Sequence, residues 1–281
     1  CVQEIGGLSN VMAGVIKRLK GGHNFRQGTI RQAQFSATDI QGTQENNKFF
    51  GNIDYISKFQ DPGTHGAIIR QGHWECIQYY WNGPNKGPKD TAILYNTKSY
   101  TFKNTLSIPF EGAGKQFRPI GGVLLDSKNL GRKIAVFTIH MPSLGGGVIP
   151  HIYESIRTYL NDEEYLGIDI FLVGDFNLDS DTVKTKSRKR KRTQANETLR
   201  KRMLDNLLDK TGSILYESSN ATHQSGRKLD YIIHRPARGY GLPIKQAALD
   251  TLLSHNVAGS DHSSLGLCLK DIFPEVDGEA S

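Results

Sequence analysis

Apolar residues in this chain come mostly in short runs, each closed off by polar or turn-forming residues. Lys133 to Ile139, Ile168 to Val173, Leu229 to Ile233 and Ser263 to Leu269 are such runs, too short for helices and rich in β-branched and aromatic residues. They predict strands buried in a sheet. Ala92 to Tyr95 and Gly121 to Leu125 read the same way. Helical spacing appears elsewhere. Leu8, Val11, Met12, Val15, Ile16 and Leu19 recur at helical intervals and stop at Gly21-Gly22, predicting an amphipathic helix. Further helices are predicted from about Ile149 to Leu160 and from about Glu197 to Leu208, the latter capped by Asn196. Between Gly22 and Asp90 no period dominates, and the abundance of Gly, Gln and Asn predicts short strands with an inserted loop.

The polar residues that bound these runs have chemical potential. Asp175 and Asn177 follow one predicted strand in Gly174-Asp175-Phe176-Asn177, and His140 ends another. Asp230 lies inside a third, and Asp261-His262 immediately precedes a fourth. Groups at strand ends of a packed sheet are held rigidly, so the clusters are candidates for one shared pocket. Carboxylates and an amide oxygen are hard ligands that suit Mg²⁺, Mn²⁺ or Ca²⁺, and the Cys/His spacing of a zinc site is missing. An imidazole near an aspartate can polarise a water or meet a developing oxyanion. Gly-Asp-Phe-Asn taken alone is equally an ordinary turn. Asp230 differs, because an aspartate inside an apolar run is costly to bury without a partner or a metal. His65, His73, His151, His223, His234 and His255 have no motif around them and are read as structural or surface residues. Gly145-Gly146-Gly147 is followed by no P-loop lysine and is read as a turn.

Six segments occur in a telling order: Val2-Gln3-Glu4, Ala92 to Asn96, Thr138-Ile139-His140, Gly174 to Asn177, Leu229-Asp230-Tyr231 and Ser260-Asp261-His262. Each is weak alone; in this order the chain resembles the endonuclease/exonuclease/phosphatase superfamily, with its deoxyribonuclease I-like fold, from Gln3-Glu4 to about Leu269. The resemblance implies a four-layer α/β sandwich of two packed mixed β-sheets flanked by helices, as one domain over residues 1–270. It also implies a divalent-metal-dependent phosphodiesterase using Mg²⁺, with Mn²⁺ or Ca²⁺ as alternatives. Carried over residue by residue, it makes Glu4 a metal ligand together with Asp175, Asn177 and Asp261. Asp175 would orient or activate the attacking water, and Asn177 would hold phosphate or metal. Asp261 would fix the tautomer of His262, the general base or phosphate ligand, while His140 serves as a second imidazole and Asp230 as a supporting acid. Arg118 resembles a phosphate-contacting arginine, and Asp90, just before the Ala92 strand, a second acid near the histidine. One departure is plain. Family members begin with a strand carrying an asparagine, then a helix, then the strand ending in glutamate, whereas this chain opens at Cys1-Val2-Gln3-Glu4. The expectation is therefore a truncated chain lacking its first strand and helix, with unpaired sheet backbone at the N-terminus.

Charge adds a partner. The 281 residues carry a net charge of +7. Ten of the 35 Lys and Arg and one of the 28 acids lie between Lys184 and Arg202, which gives this stretch +9 and leaves the rest at −2. A basic loop at 183–195, with Lys189, Arg190, Lys191 and Arg192 at its centre, suits a nucleic-acid backbone. The run from Ser187 to Arg192 also resembles a nuclear localisation signal. Three cysteines without a disulfide framework favour a reducing, intracellular compartment, and no apolar run is long enough to span a membrane. The acidic residues 271–281 are read as a disordered tail, and the chain as a monomer. Together these features predict a nuclease hydrolysing DNA or RNA. The alternatives are hydrolysis of a phosphoinositide or sphingolipid head group, and a nucleic-acid-binding member without catalysis. Against a phosphoinositide enzyme, Arg227-Lys228-Leu229-Asp230-Tyr231 lacks that branch's basic and aromatic signature.

Overall fold

The computed structural model describes residues 2–4, 40–44, 59–60, 66–71, 74–80, 89–108, 120–142, 148–178, 188–239, 250–253, 262 and 264–273. The runs read as strands pair into two sheets. Sheet A contains β1 (Val2–Glu4), β2 (Ile40–Gln44), β3 (Phe59–Gln60), β4 (Gly66–Gln71), β5 (Trp74–Tyr80) and β6 (Lys89–Asn96), together with β13 (Asp250–Leu253) and β14 (Ser264–Gly266). Its order is β13-β14-β1-β2-β6-β5-β4-β3. Sheet B contains β7 (Tyr100–Ile108), β8 (Ile120–Ser127), β9 (Arg132–His140), β10 (Asp169–Asp175), β11 (Ile214–Glu217) and β12 (Asp230–Arg235), in the order β11-β12-β10-β9-β8-β7. Among the described residues of sheet B only β9 and β10 run parallel, with the helix α1 (Ile149–Leu160) between them in the chain.

Strands β9 and β10 are apolar on both faces because both faces are covered. Val123, Leu125, Ile134, Val136, Phe171, Val173 and Ile232 pack toward Ile77, Ile93 and Tyr95 of sheet A, forming the layer between the sheets. Ala135, Phe137, Ile139, Ile170, Leu172 and Ile233 point the other way, onto α1 and α2 (Arg188–Thr211). Helix α1 presents Ile149, Ile152, Tyr153, Ile156 and Leu160 to that layer, an i, i+3, i+4, i+7 pattern with proline at its start, where a missing N–H costs nothing. Helix α2 contributes Leu204 and Leu207. It ends where Gly212 takes φ 63°, with Ser213 N donating to Leu208 O at 3.0 Å in a Schellman-type closure. The helix predicted from sequence over Leu8 to Leu19 lies outside the described residues.

Three expectations are corrected. The N-terminal strand does not leave the sheet unpaired: β1 lies inside sheet A, antiparallel to β14 (Val2 opposite Leu265) and parallel to β2 (Val2 opposite Gly42). A parallel neighbour requires a crossover. The residues that join β1 to β2 lie outside the described residues. The basic segment is not loop throughout. Helix α2 begins at Arg188, well before Glu197, because Arg, Lys, Gln and Ala are strong helix formers and no Gly or Pro interrupts the chain before Gly212. The C-terminal tail is not free from Asp271 onward, since Ile272 and Phe273 are buried after a short helix α3 (Leu269–Ile272). Among the described residues no helix is long and apolar enough to cross a membrane.

Candidate active site

The parallel strands β9 and β10 end side by side, with His140 opposite Asp175, and β12 starts antiparallel beside them with Asp230 opposite Asp175. In-register residues on adjacent strands share a face. The three side chains therefore form one row, Asp230, Asp175, His140, at one end of sheet B. They lie two residues beyond Val173 and Ile232 and four beyond Phe171 and Val136, so the row faces sheet A at the margin of the layer between the sheets. All three are buried.

Each member of the row is fixed. His262 completes it, its Nδ1 2.8 Å from Asp230 Oδ2. His140 Nε2 stands 3.7 Å from Asp175 Oδ2, within ion-pair range but beyond a hydrogen bond. Beyond Asp175 the chain turns sharply. Phe176 drops into the helix-side core, where its ring meets Tyr231 edge to face at 5.9 Å, and Asn177 takes φ 48°, a left-handed conformation that asparagine tolerates. From there Asn177 N donates to Asp175 Oδ1 at 2.6 Å, and its Nδ2 donates to Asp175 Oδ2 and Met141 O, both at 2.7 Å. Asn177 thus orients both oxygens of the Asp175 carboxylate. Arg200, buried on α2, donates to Asn177 O and Pro142 O, both at 2.8 Å, and ties the segments following β9 and β10 to the helix.

The structure brings together His140, Asp175, Asn177, Asp230 and His262. Arg118 and Asp261 lie outside the described residues. Asp90 falls inside β6 rather than before it, and Lys189, Arg190, Lys191 and Arg192 belong to the first turns of α2. Glu4 ends β1, next to β10 and β12. Asp230 is a partner of His262 that the sequence reading did not assign: it meets the ring at Nδ1, while Asp261, the expected partner, lies outside the described residues. Sequence reading missed two residues that the structure brings to the row. Arg200 and His223, whose ring meets His262 edge to face at 4.6 Å, are drawn in only by folding. Strand β2 is parallel to β1 with Glu4 opposite Gln44, and Glu45, which follows it in a second Gln-Glu pair, lies outside the described residues.

Among the described residues no three acidic, His or Cys side chains meet as a metal-binding group. The donors at the row are nonetheless of one kind: the Asp175 carboxylate and the amide oxygen of Asn177, whose nitrogen is already engaged. Hard oxygen donors from one or two protein groups, completed by water and substrate phosphate, are how Mg²⁺ is commonly held. The donor set therefore fits a hard divalent cation and not zinc.

No protein-family profile and no curated protein sequence matches the chain. Solved structures do. CdtB, the biologically active subunit of cytolethal distending toxin, superposes with TM-score 0.55 at 16% identity, covering 93% of this chain and 92% of its own. An endonuclease/exonuclease/phosphatase family protein from Leptotrichia buccalis gives 0.54 at 14% identity over 95% of this chain and 99% of its own. The fold is that of the endonuclease/exonuclease/phosphatase superfamily. A mannosyl-6-phosphatase from Bacteroides thetaiotaomicron shares this deoxyribonuclease I-like fold, with TM-score 0.51 at 15% identity over 95% of this chain and 99% of its own. Agreement over nearly the full length of both chains bears out the deoxyribonuclease I-like α/β fold expected from the six ordered segments, and the two sheets are consistent with it.

Proposed function

We propose that this chain is a phosphoester hydrolase acting on phosphodiesters, with nucleic acid as substrate and a divalent cation as cofactor. The observation that carries the reading is the in-register row Asp230, Asp175, His140 closed by His262. Asp230 accepts the Nδ1 proton of His262, which leaves the Nε2 lone pair of that ring to take a proton from water. Asp175, held at both oxygens by Asn177, orients the same water. His140, beside Asp175, provides a second imidazole for a phosphoryl oxygen. Asp175, the Asn177 amide oxygen and Glu4 or Glu45 would hold the cation, which supplies charge neutralisation at the phosphate. Nucleic acid is favoured over a small phosphate ester by α2. Its first residues, Arg188 to Arg192, are basic, and Arg200 anchors the same helix to the Asn177 segment. At a rise of about 1.5 Å per residue the basic turns begin roughly 12 to 18 Å along the helix from that anchor, the reach of a few nucleotides.

The test is turnover of supercoiled plasmid, single-stranded RNA, bis(p-nitrophenyl) phosphate and p-nitrophenyl phosphate, with Mg²⁺ and with EDTA. Diester cleavage that EDTA abolishes is expected. Asp175→Asn or His262→Ala should lower it by roughly a hundredfold or more at unchanged melting temperature. Normal turnover in either variant would remove the site from the row. Cleavage of the monoester alone would point to a small phosphate ester, as in the Bacteroides neighbour's name.

A further inference from the structure

Beside His262 stands an imidazole that the chemistry above leaves without a role. His223 forms an antiparallel β-bridge with His262, and the two rings meet at 4.6 Å between centroids with planes at 76°. The turn that carries His223 is held by its backbone and by Thr222 as well as by its own ring. Thr222, fully buried, accepts the N–H groups of Leu229 and Asp230 on Oγ1 at 2.8 and 3.1 Å. The N–H groups of Thr222 and His223 both donate to Arg227 O at 3.0 Å, and Gly226, at φ 80°, donates to His223 O at 3.0 Å. The start of β12 thereby fixes Asp230, and through it His262, against His223. Such support from neighbouring polar contacts is what holds a binding residue to a working geometry.

The two rings carry opposite tautomers. His223 Nδ1 accepts the Ser225 N–H at 3.0 Å and lies 2.6 Å from Ser225 Oγ. A ring nitrogen that accepts holds no proton, so neutral His223 keeps its proton on Nε2. His262 is the reverse, since the carboxylate at its Nδ1 keeps the proton there and leaves Nε2 as an acceptor. Adjacent imidazoles thus offer one acceptor and one donor. Attack of water on a phosphate ester calls for both: an acceptor for the water's proton, and a donor for a phosphoryl oxygen that bears negative charge throughout.

We propose that His223 is a substrate-binding residue of this site, donating from Nε2 to a non-bridging oxygen of the phosphate group. The inference rests on the phosphoester reading. It requires no proton transfer by His223, only a neutral ring held in one tautomer by its own turn.

The full chain is compared with His223→Phe, which keeps a ring against His262 but has no donor, and with His223→Gln, whose amide nitrogen reaches a similar position. Three quantities are read: kcat/KM on bis(p-nitrophenyl) phosphate with Mg²⁺, Kd for inorganic phosphate, and the thermal midpoint. His223→Phe is expected to lower kcat/KM and weaken phosphate binding by roughly ten- to a hundredfold, the size of one hydrogen bond to a charged group, at an unchanged midpoint. His223→Gln should recover most of both. Wild-type kcat/KM and phosphate affinity in His223→Phe, or an equal loss in His223→Gln, overturns the proposal. If His223→Phe melts lower, the His223 Nε2 resonance of the wild-type chain decides: it shifts on phosphate titration, or the proposal falls. A wild-type chain that binds phosphate through His223 yet hydrolyses no ester refutes the hydrolase reading alone. Hydrolysis indifferent to His223→Phe refutes this inference alone, and a wild-type chain that neither binds nor hydrolyses refutes both.

Discussion

His234 and His262 each bond an aspartate on sheet B, and their surroundings give them different tasks. His262 sits at the open end of the strands with His223 beside it. His234 lies at the other end, fully buried, stacked at 4.2 Å on Phe171 and met edge-on by Phe273 at 5.8 Å. Its Nε2 donates to Asp169 Oδ1 at 2.9 Å, and its buried Nδ1 has no hydrogen-bond partner among the described residues. Burial holds the His234 pKa below that of a free imidazole, although the Asp169 bond pulls it upward. Burial by itself pushes Asp169 up, but the bond from His234, the Ala237 N–H and the charges of His234 and Arg132 together bring it below the usual carboxylate value. Both shifts have the same consequence for stability. As pH falls through about 6.5 the unfolded chain protonates His234 while the folded chain resists, so stability is lost. A further loss follows below about pH 4, where the unfolded Asp169 takes up its proton before the folded one. Thermal melts should therefore show a midpoint falling from pH 7 to pH 5, with a shallower slope in His234→Gln; an equal slope in the variant would refute the assignment. From sequence these two imidazoles differ only in motif. Asp175, Asn177, Asp230 and His262 are legible because each polar group adjoins or interrupts an apolar run. His223 and Arg200 are not, because their partners are remote in sequence.

At the scale of elements, strand positions follow from apolar runs, whereas close approach between elements depends on register. Gly122 on β8 stands opposite Phe137 on β9. A Cβ at Gly122 would fall 2.4 to 2.8 Å from three atoms of the Phe137 ring, itself packed edge to face on Tyr159 at 5.2 Å. Gly122→Ala should cost about 1–3 kcal/mol in a denaturant melt through overpacking, and Phe137→Leu in that background should recover part of it. An alanine without cost would mean that the ring turns aside freely. Gly121-Gly122 reads in sequence only as a weak stretch of strand; the reason for glycine appears when β8 and β9 pair. Helix α1 is the opposite case, its limits evident from spacing alone. Helix α2 lies between: its apolar residues from Leu199 to Leu208 were legible, while the preceding basic turns were obscured by charge, which argues for solvent exposure but not against helix.

At the scale of the whole molecule, the row of acids and imidazoles sits where the two sheets meet, and Arg200 ties the segments beside it to α2, the helix whose first residues hold much of the chain's concentrated positive charge. Basic residues in the first turns of a helix oppose its dipole, and a polyanion there relieves that conflict. Replacing Arg188, Lys189, Arg190, Lys191 and Arg192 by Gln keeps helix-forming side chains and removes the charge. The slope of log binding constant against log salt for duplex DNA should become shallower by roughly 0.7 to 0.9 for each phosphate that the helix no longer neutralises, while turnover of bis(p-nitrophenyl) phosphate stays the same. An unchanged slope would refute the helix as the nucleic-acid contact.

By itself the amino-acid order determined which segments become strands and helices, and which hard-oxygen and imidazole groups stand at strand ends. Local spacing and the cost of burying an unpartnered carboxylate are enough for that. Tertiary structure alone decided the pairing of those groups: that β1 lies between β14 and β2, that Asp230 meets His262 at Nδ1, and that His223 joins them. Strand order and register are settled by which faces can be buried against one another, a sum over residues far apart in the chain. No local pattern encodes that sum.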